Sequence, residues 1–144
     1  MKAEAIKIIV IDDDPFTLTM NEEIIRRVVT GGQTISFSSA ADALEYLETE
    51  NELSAGDPGR PGMILSDLHM PGIDGFRFLD EFAKLGRAVR SRYRVFILSS
   101  TTNEEDWAKL SEKTCFTQLC SKPLTVSKLM KLIRAAMGGS DCLF

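Results

Sequence analysis

Short runs of β-branched and apolar residues alternate along this chain with segments of helical period, and this alternation limits the possible folds more than any single motif. Residues 6–11 form the first such run, the pattern of a strand buried on both faces. Asp14 and Pro15 follow as a predicted N-cap and first helical residue, where proline gives up no needed hydrogen bond. Phe16, Met20, Ile24 and Val28 recur every four residues and predict one apolar helix face, stopped by Gly31 and Gly32. A second strand is expected at 34–38. Ser39 with Asp42 three residues on has the spacing of a cap, opening a helix that turns Ala43, Leu44 and Leu47 inward. Residues 51–62 are polar and rich in glycine and proline, and read as a loop.

The pattern continues through the second half. A third strand at 63–66 precedes a stripe of Phe76, Leu79 and Phe82, widened by Phe78 and Leu85. Arg87, Arg90, Arg92 and Arg94 make a basic run around Tyr93, read as a solvated loop rather than an RNA contact. A fourth strand at 95–98 leads to Asn103 as a cap, with Glu104, Glu105 and Asp106 suiting the positive end of the helix dipole. A fifth strand is expected at 116–120. Thr125 then caps a helix with Val126, Leu129, Met130, Ile133 and Met137 on one face, ended by Gly138 and Gly139. Five strands alternating with five helices argue for an α/β fold, a parallel sheet covered on both faces.

Length and composition agree with this. The 144 residues suit a single domain spanning 1–144, with its core at about 6–137 and a short tail at 138–144. A net charge of -4 gives no footprint for nucleic acid. The three cysteines, Cys115, Cys120 and Cys142, match no zinc spacing, and an odd count without a signal peptide suits reduced thiols. Lys2, Glu4 and Lys7 break up the N-terminus, so no secretory or membrane-spanning segment is expected there. These features predict a soluble, cytoplasmic protein that does not bind a membrane.

The chemistry lies where the strands end. The first finishes in Asp12, Asp13 and Asp14, the third in Ser66 and Asp67, the fourth in Ser99 and Ser100, and the fifth in Ser121 and Lys122. In a doubly wound sheet of order 2-1-3-4-5 these four strands are successive neighbours, about 4.8 Å apart, and ligands sit beyond their carboxyl ends. Carboxylates, hydroxyl and ammonium would then meet in one pocket. Crowded carboxylates repel, and burial makes each charge costlier. A divalent cation relieves both problems, and oxygen-only ligands point to Mg2+ or Mn2+ rather than zinc. A phosphoryl group is a natural further ligand of such an ion, with Lys122 to offset its charge and Ser99 to hydrogen-bond it.

The residues in these positions closely resemble the receiver domain of two-component response regulators. The resemblance rests on IIVIDDDP at 8–15, ILSDLHMPGIDG at 64–75, VFILSS at 95–100 and SKP at 121–123, in order over most of the chain. It implies a flavodoxin-like, CheY-like (βα)5 fold in which Asp67 is the phosphoacceptor, taking its phosphoryl group from a histidine kinase or a phosphotransfer protein. Asp12, Asp13 and Asp67, with the backbone carbonyl of His69, would hold the magnesium. Lys122 would pair with a phosphoryl oxygen, before a bond to Pro123 that is often cis in the family. Ser99 stands at the switch position, directly after the apolar run, with Ser100 at the usual small residue. The resemblance implies a switch that assists its own phosphorylation rather than an enzyme with an external substrate. With only residues 138–144 after the last helix, output is expected through a downstream protein target, or onward to another histidine as a phosphorelay intermediate.

Two positions depart from the family pattern. Leu119 stands three residues before the lysine, where an aromatic residue is common, so coupling through a large aromatic rotamer at that place is not expected. His69 follows the acceptor by two residues. Either its side chain screens or orients the hydrolytic water, or it is an exposed group whose carbonyl alone matters. Two further readings compete. A haloacid-dehalogenase-type phosphatase also carries Asp-x-Asp-x-Thr after its first strand, but Phe16 stands where the threonine is needed and Thr17 comes one residue late. A pseudo-receiver would have lost the acceptor, the acidic pair or the lysine, and Asp12, Asp13, Asp67 and Lys122 are all present.

Overall fold

The computed structural model describes residues 6–29, 32–53, 61–100, 103–113 and 116–138. Five strands, β1 (Lys7–Ile11), β2 (Gln33–Phe37), β3 (Gly62–Asp67), β4 (Tyr93–Ser99) and β5 (Phe116–Ser121), form one parallel sheet in the order β2-β1-β3-β4-β5. The helices are α1 (Pro15–Val28), α2 (Ala40–Leu53), α3 (Gly75–Phe82), α4 (Arg87–Arg92), α5 (Glu104–Ser111) and α6 (Val126–Gly138). The fold is therefore the expected α/β doubly wound sheet. Its central strands are buried on both faces, and alternate residues of each strand serve different cores. Ile9, Ile11, Ile64, Val95 and Ile97 pack with Ala43, Leu47, Phe78, Leu79 and Phe82. Ile8, Val10, Met63, Leu65, Phe96 and Leu98 face the other way, onto Ile25, Leu129, Leu132 and Ile133.

The anticipated caps form. Asp14 accepts from the Phe16 and Thr17 amides, Ser39 Oγ from the Asp42 amide, Asn103 from the Glu105 amide, and Thr125 Oγ1 from the Lys128 amide. Gly31, Thr101, Thr102, Cys115 and residues 139–144 lie outside the described residues. Cys120 is a buried free thiol.

Several expectations need correction. The stripe of Phe16, Met20, Ile24 and Val28 is not the buried face of α1: Phe16 is 72% and Met20 48% exposed, while Asn21 and Ile25 are buried. A step of four residues advances about 40° around a 3.6-residue turn. Over three such steps the stripe rotates from solvent towards the core. Secondly, α2 continues through residues 51–53 and Gly62 begins β3, so the expected 51–62 loop is shorter than its composition suggested. Within α6, Leu132 is buried and Met137 is 41% exposed.

Thirdly, the arginine run is a further helix, α4, rather than a solvated loop. Val89 is fully buried, Arg90 Nε donates to the Leu85 carbonyl at 2.7 Å, and Arg92 pairs with Glu50 at 3.3 Å. Glu50 also accepts from Lys7 and, at 2.6 Å, from the Tyr93 hydroxyl, while Lys7 donates to Tyr46. Burial pushes the Glu50 carboxyl up, but hydrogen bonds from Lys7 and Tyr93 and the charges of Lys7 and Arg92 hold it below its ordinary value. Burial first, then Glu50, raises the Tyr93 phenol. Lys7 and Tyr93 open their strands, so this cluster sits at the amino ends of the sheet, away from Asp67 and Ser99 at the carboxyl ends.

Candidate functional site

Neighbouring strand ends assemble the site. Asp12 follows β1, where its amide donates to the Phe37 carbonyl and its Oδ1 accepts from the Asp14 amide at 2.9 Å. Asp67 closes β3, and the two residues are only 2% and 8% exposed. Asp13 is exposed, yet a carboxylate oxygen from each of Asp12, Asp13 and Asp67 lies within 4.8 Å of the others. Asp14 is outside this group. It is exposed and caps α1, and its carboxyl is lowered chiefly by the Thr17 hydroxyl at 2.6 Å.

Lys122 brings the counter-charge from beyond β5. Its amide donates to the Ser99 carbonyl at 3.0 Å, its peptide bond to Pro123 is cis, and Nζ reaches Asp67 Oδ1 at 2.9 Å and Asp12 Oδ2 at 3.4 Å. Lys128 pins this turn from α6, donating to the Ser121 carbonyl, the Ser121 hydroxyl and the Pro123 carbonyl at 3.1, 3.0 and 3.1 Å. Burial opposes the Lys122 charge, but Asp67 and then Asp12 outweigh it and raise the ammonium above its ordinary value. Asp12 moves the opposite way to most paired acids. Burial raises it, more than the Asp14 amide and Lys122 lower it, and Asp67 adds repulsion. Three carboxylates, those of Asp12, Asp13 and Asp67, thus gather at the site around the ammonium of Lys122.

Ser99 is the last residue of β4, 4% exposed, and its Cα pairs with Ser121 in β5. Ser100 is exposed. His69 sits in the connection after Asp67. Gly72 turns this connection with φ 78°, and at Gly75 a Cβ would come within 2.9 Å of Leu68 Cα and 3.0 Å of the Asp67 carbonyl oxygen. The Gly75 amide donates to the Leu68 carbonyl at 2.7 Å, and Asp74 caps α3 through the Arg77 amide. The His69 imidazole is 60% exposed but tethered: Nε2 lies 3.1 Å from Asp106 Oδ2 in α5, and the ring meets Phe76 edge-on at 6.4 Å.

Sequence reasoning missed the partners of two of these residues. Asp106 was assigned only to the helix dipole, and Lys128 to no role. Thirty-seven residues separate His69 from Asp106, and no local pattern marks such a contact. Lys128 did carry a usable signal, because the residue three positions after a capping threonine is positioned to reach back over the preceding turn.

Comparison with known proteins agrees with this arrangement. The family model of the response regulator receiver domain matches residues 8–134. The chain belongs to that family. A response regulator receiver protein from Dyadobacter fermentans DSM 18053 is 32% identical, with a TM-score of 0.77, covering 90% of this chain and 96% of that one. The receiver domain of the sensor histidine kinase PA1611 from Pseudomonas aeruginosa PAO1, described with magnesium coordinated in its active-site cleft, shares the fold at 17% identity. Its TM-score is 0.73, with 94% of this chain and 99% of that one covered. A protein-glutamate methylesterase/protein-glutamine glutaminase 5 from Myxococcus xanthus (strain DK1622) is 28% identical over 123 residues. That match takes in 85% of this chain but only 31% of the relative.

Proposed function

We propose that this chain is a phosphorylation switch in which Asp67 accepts a phosphoryl group from a phosphohistidine on a kinase or phosphotransfer protein. The observation that carries this reading is the meeting of Asp12, Asp13 and Asp67 within 4.8 Å, with the Lys122 ammonium 2.9 Å from the acceptor carboxylate. An all-oxygen donor set whose buried Asp12 is raised by burial fits a hard divalent cation, Mg2+ or Mn2+, held by Asp12, Asp13, Asp67 and the His69 carbonyl. When bound, that ion neutralises charge on the oxygens of the transferring phosphoryl group.

The chain's own residues do the rest. Asp67 supplies the attacking oxygen: its O–P bond forms as the N–P bond of the donor breaks, the electron pair returning to the imidazole nitrogen, which takes up a proton. Lys122 stays protonated, orients Asp67 and offsets the charge that arrives. Ser99 donates its hydroxyl to a phosphoryl oxygen, which draws the end of β4 inward and converts a charge event into a change of surface. Phe16 and Met20, both largely exposed, border a pocket of about 220 Å³ with Lys122, Pro123 and Leu124. This apolar rim beside the acceptor suits the helix of a protein phosphodonor. The chain acts as a single cytoplasmic receiver unit whose output passes through protein contacts. It has no catalytic turnover on an external substrate. No helix of the described residues is long and apolar enough to cross a membrane.

The test is incubation with magnesium and acetyl phosphate. The expected result is a mass gain of one phosphoryl group on Asp67, abolished in Asp67→Asn. Labelling elsewhere, or none, would overturn the reading.

A further inference from the structure

We infer that Lys128 is a positioning residue for phosphoryl transfer, acting through the turn that carries Lys122; the inference rests on the function proposed above. Lys122 is a flexible four-carbon chain, so where its ammonium stands depends on how its backbone is held. Its amide donates to the Ser99 carbonyl at 3.0 Å, which ties the turn to the end of β4. A second tie comes from Lys128. An ammonium carries three N–H donors. This one reaches the Ser121 carbonyl at 3.1 Å, the Ser121 hydroxyl at 3.0 Å and the Pro123 carbonyl at 3.1 Å. All three acceptors belong to the residues that flank Lys122 in the chain. One cation thus brackets another without touching the carboxylates that the second one serves.

Three observations separate this role from the ordinary closing of a helix end. Lys128 is the third residue of α6, where a cation faces the positive end of the helix dipole and is disfavoured. Among the described residues it pairs with no carboxylate, so the oxygens of the turn are what hold it there. The helix start needs no such help, because Thr125 Oγ1 accepts from the Lys128 amide at 3.1 Å. Finally, the aim of Lys122 leaves little slack. Its Nζ is 2.9 Å from Asp67 Oδ1 and 3.4 Å from Asp12 Oδ2, so a small shift of the turn exchanges the nearer partner. With Asp12 nearer, the ammonium no longer orients the acceptor. Lys128 thereby sets which carboxylate the ammonium serves.

A double-mutant cycle tests this. Rates of mass gain from acetyl phosphate with magnesium are measured for the parent, Lys128→Met, Lys122→Met and the double variant. A residue acting through Lys122 can lose no more than Lys122 itself, and misplacement by about 1 Å costs up to about 100-fold. Lys128→Met should therefore be about tenfold slower than the parent. In the Lys122→Met background the same change should cause no further loss, whereas a merely structural effect would recur there. The rise in melting temperature with magnesium should persist in Lys128→Met, since Lys128 pairs with none of Asp12, Asp13 and Asp67. If Lys128→Met does not fold, Ser121→Ala decides. It removes one acceptor, keeps Lys128, and should slow the reaction only while Lys122 is present. A parental rate in the deciding variant overturns this inference alone, as does an equal loss in both backgrounds. Loss of the magnesium response overturns it too, by placing Lys128 with the carboxylates instead. Absence of any mass gain in the parent overturns the phosphoacceptor reading, and this inference falls with it.

Discussion

The Lys122 ammonium stands 2.9 Å from Asp67 Oδ1 and 3.4 Å from Asp12 Oδ2, one cation shared between two buried carboxylates. Its pKa is raised because Asp67 and Asp12 outweigh the burial that would lower it. A raised lysine contributes stability that is fully present below its unfolded value of 10.5 and is lost as pH climbs through the higher folded value. Lys122→Met should therefore lower stability at neutral pH by about 1–2 kcal/mol, less than for a fully buried pair because the side chain is 25% exposed. It should also slow phosphorylation of Asp67 about 100-fold, the scale on which loss of one charge-stabilising donor acts. Denaturant titration and the rate of mass gain from acetyl phosphate check the two effects. An undiminished rate would remove Lys122 from the chemistry.

Magnesium should stabilise the protein, since the folded state alone brings Asp12, Asp13 and Asp67 together. At a hundred times the dissociation constant the gain is about 2.7 kcal/mol, seen as a rise in melting temperature that chelation reverses. Asp12→Asn should lose that response. Without metal the same variant should melt higher than the parent, because burial makes the Asp12 charge unfavourable. A parent that melts at the same temperature with and without magnesium would contradict the proposed ion site.

Phe16→Ala separates the protein donor from the small one. A well-placed aromatic anchor is worth more than about 1 kcal/mol at a protein interface. Transfer from a histidine-phosphorylated phosphotransfer protein should become less efficient through its KM, whereas the rate with acetyl phosphate should not change. Loss of both rates together would show that Phe16 serves the fold rather than docking.

His69 and Asp106 join the connection after β3 to α5 through a pair whose imidazole is 60% exposed, which limits its contribution to stability to about 1 kcal/mol. If the tethered imidazole screens Asp67 from water, His69→Ala and Asp106→Asn should each hasten decay of the acyl phosphate severalfold. The double variant should be no faster than either one alone. Unchanged lifetimes would leave His69 with only its carbonyl to offer.

The sheet was legible because period and punctuation are local: each strand run and each cap could be read within a few residues. The meeting of Asp12, Asp67, Ser99 and Lys122 was legible because a parallel sheet carries neighbouring strand ends to one edge whatever lies between them. What escaped was long-range and polar. Lys7 reads as a charge that breaks up the N-terminus, Arg92 as part of a basic loop, and Glu50 carries no sequence signal of its own. Only the fold brings the three together, and burial rather than sequence spacing selects the pairing. The α1 stripe failed for a different reason. A spacing of four drifts around the helix, and one-dimensional periodicity cannot say which stretch of the drift meets the core.

That hidden cluster is itself testable. Glu50 accepts from Lys7 and Tyr93 and pairs with Arg92 at 3.3 Å, with the Lys7 and Arg92 side chains each 8% exposed. Replacing it by glutamine strands two cations in the interior, which costs about 3 kcal/mol or more when a buried pair is broken. The Glu50 carboxyl lies below its ordinary value of 4.5. A lowered carboxyl contributes stability above its unfolded value and loses it as pH falls through the folded one. The difference between the parent and Glu50→Gln should therefore be full at pH 7 and shrink progressively below pH 4.5. Denaturant titrations across that range measure it directly. Because the cluster lies at the end of the sheet away from Asp67, the folded variant should still gain mass from acetyl phosphate at the parental rate. A constant difference across pH would mean that Glu50 acts through packing rather than charge.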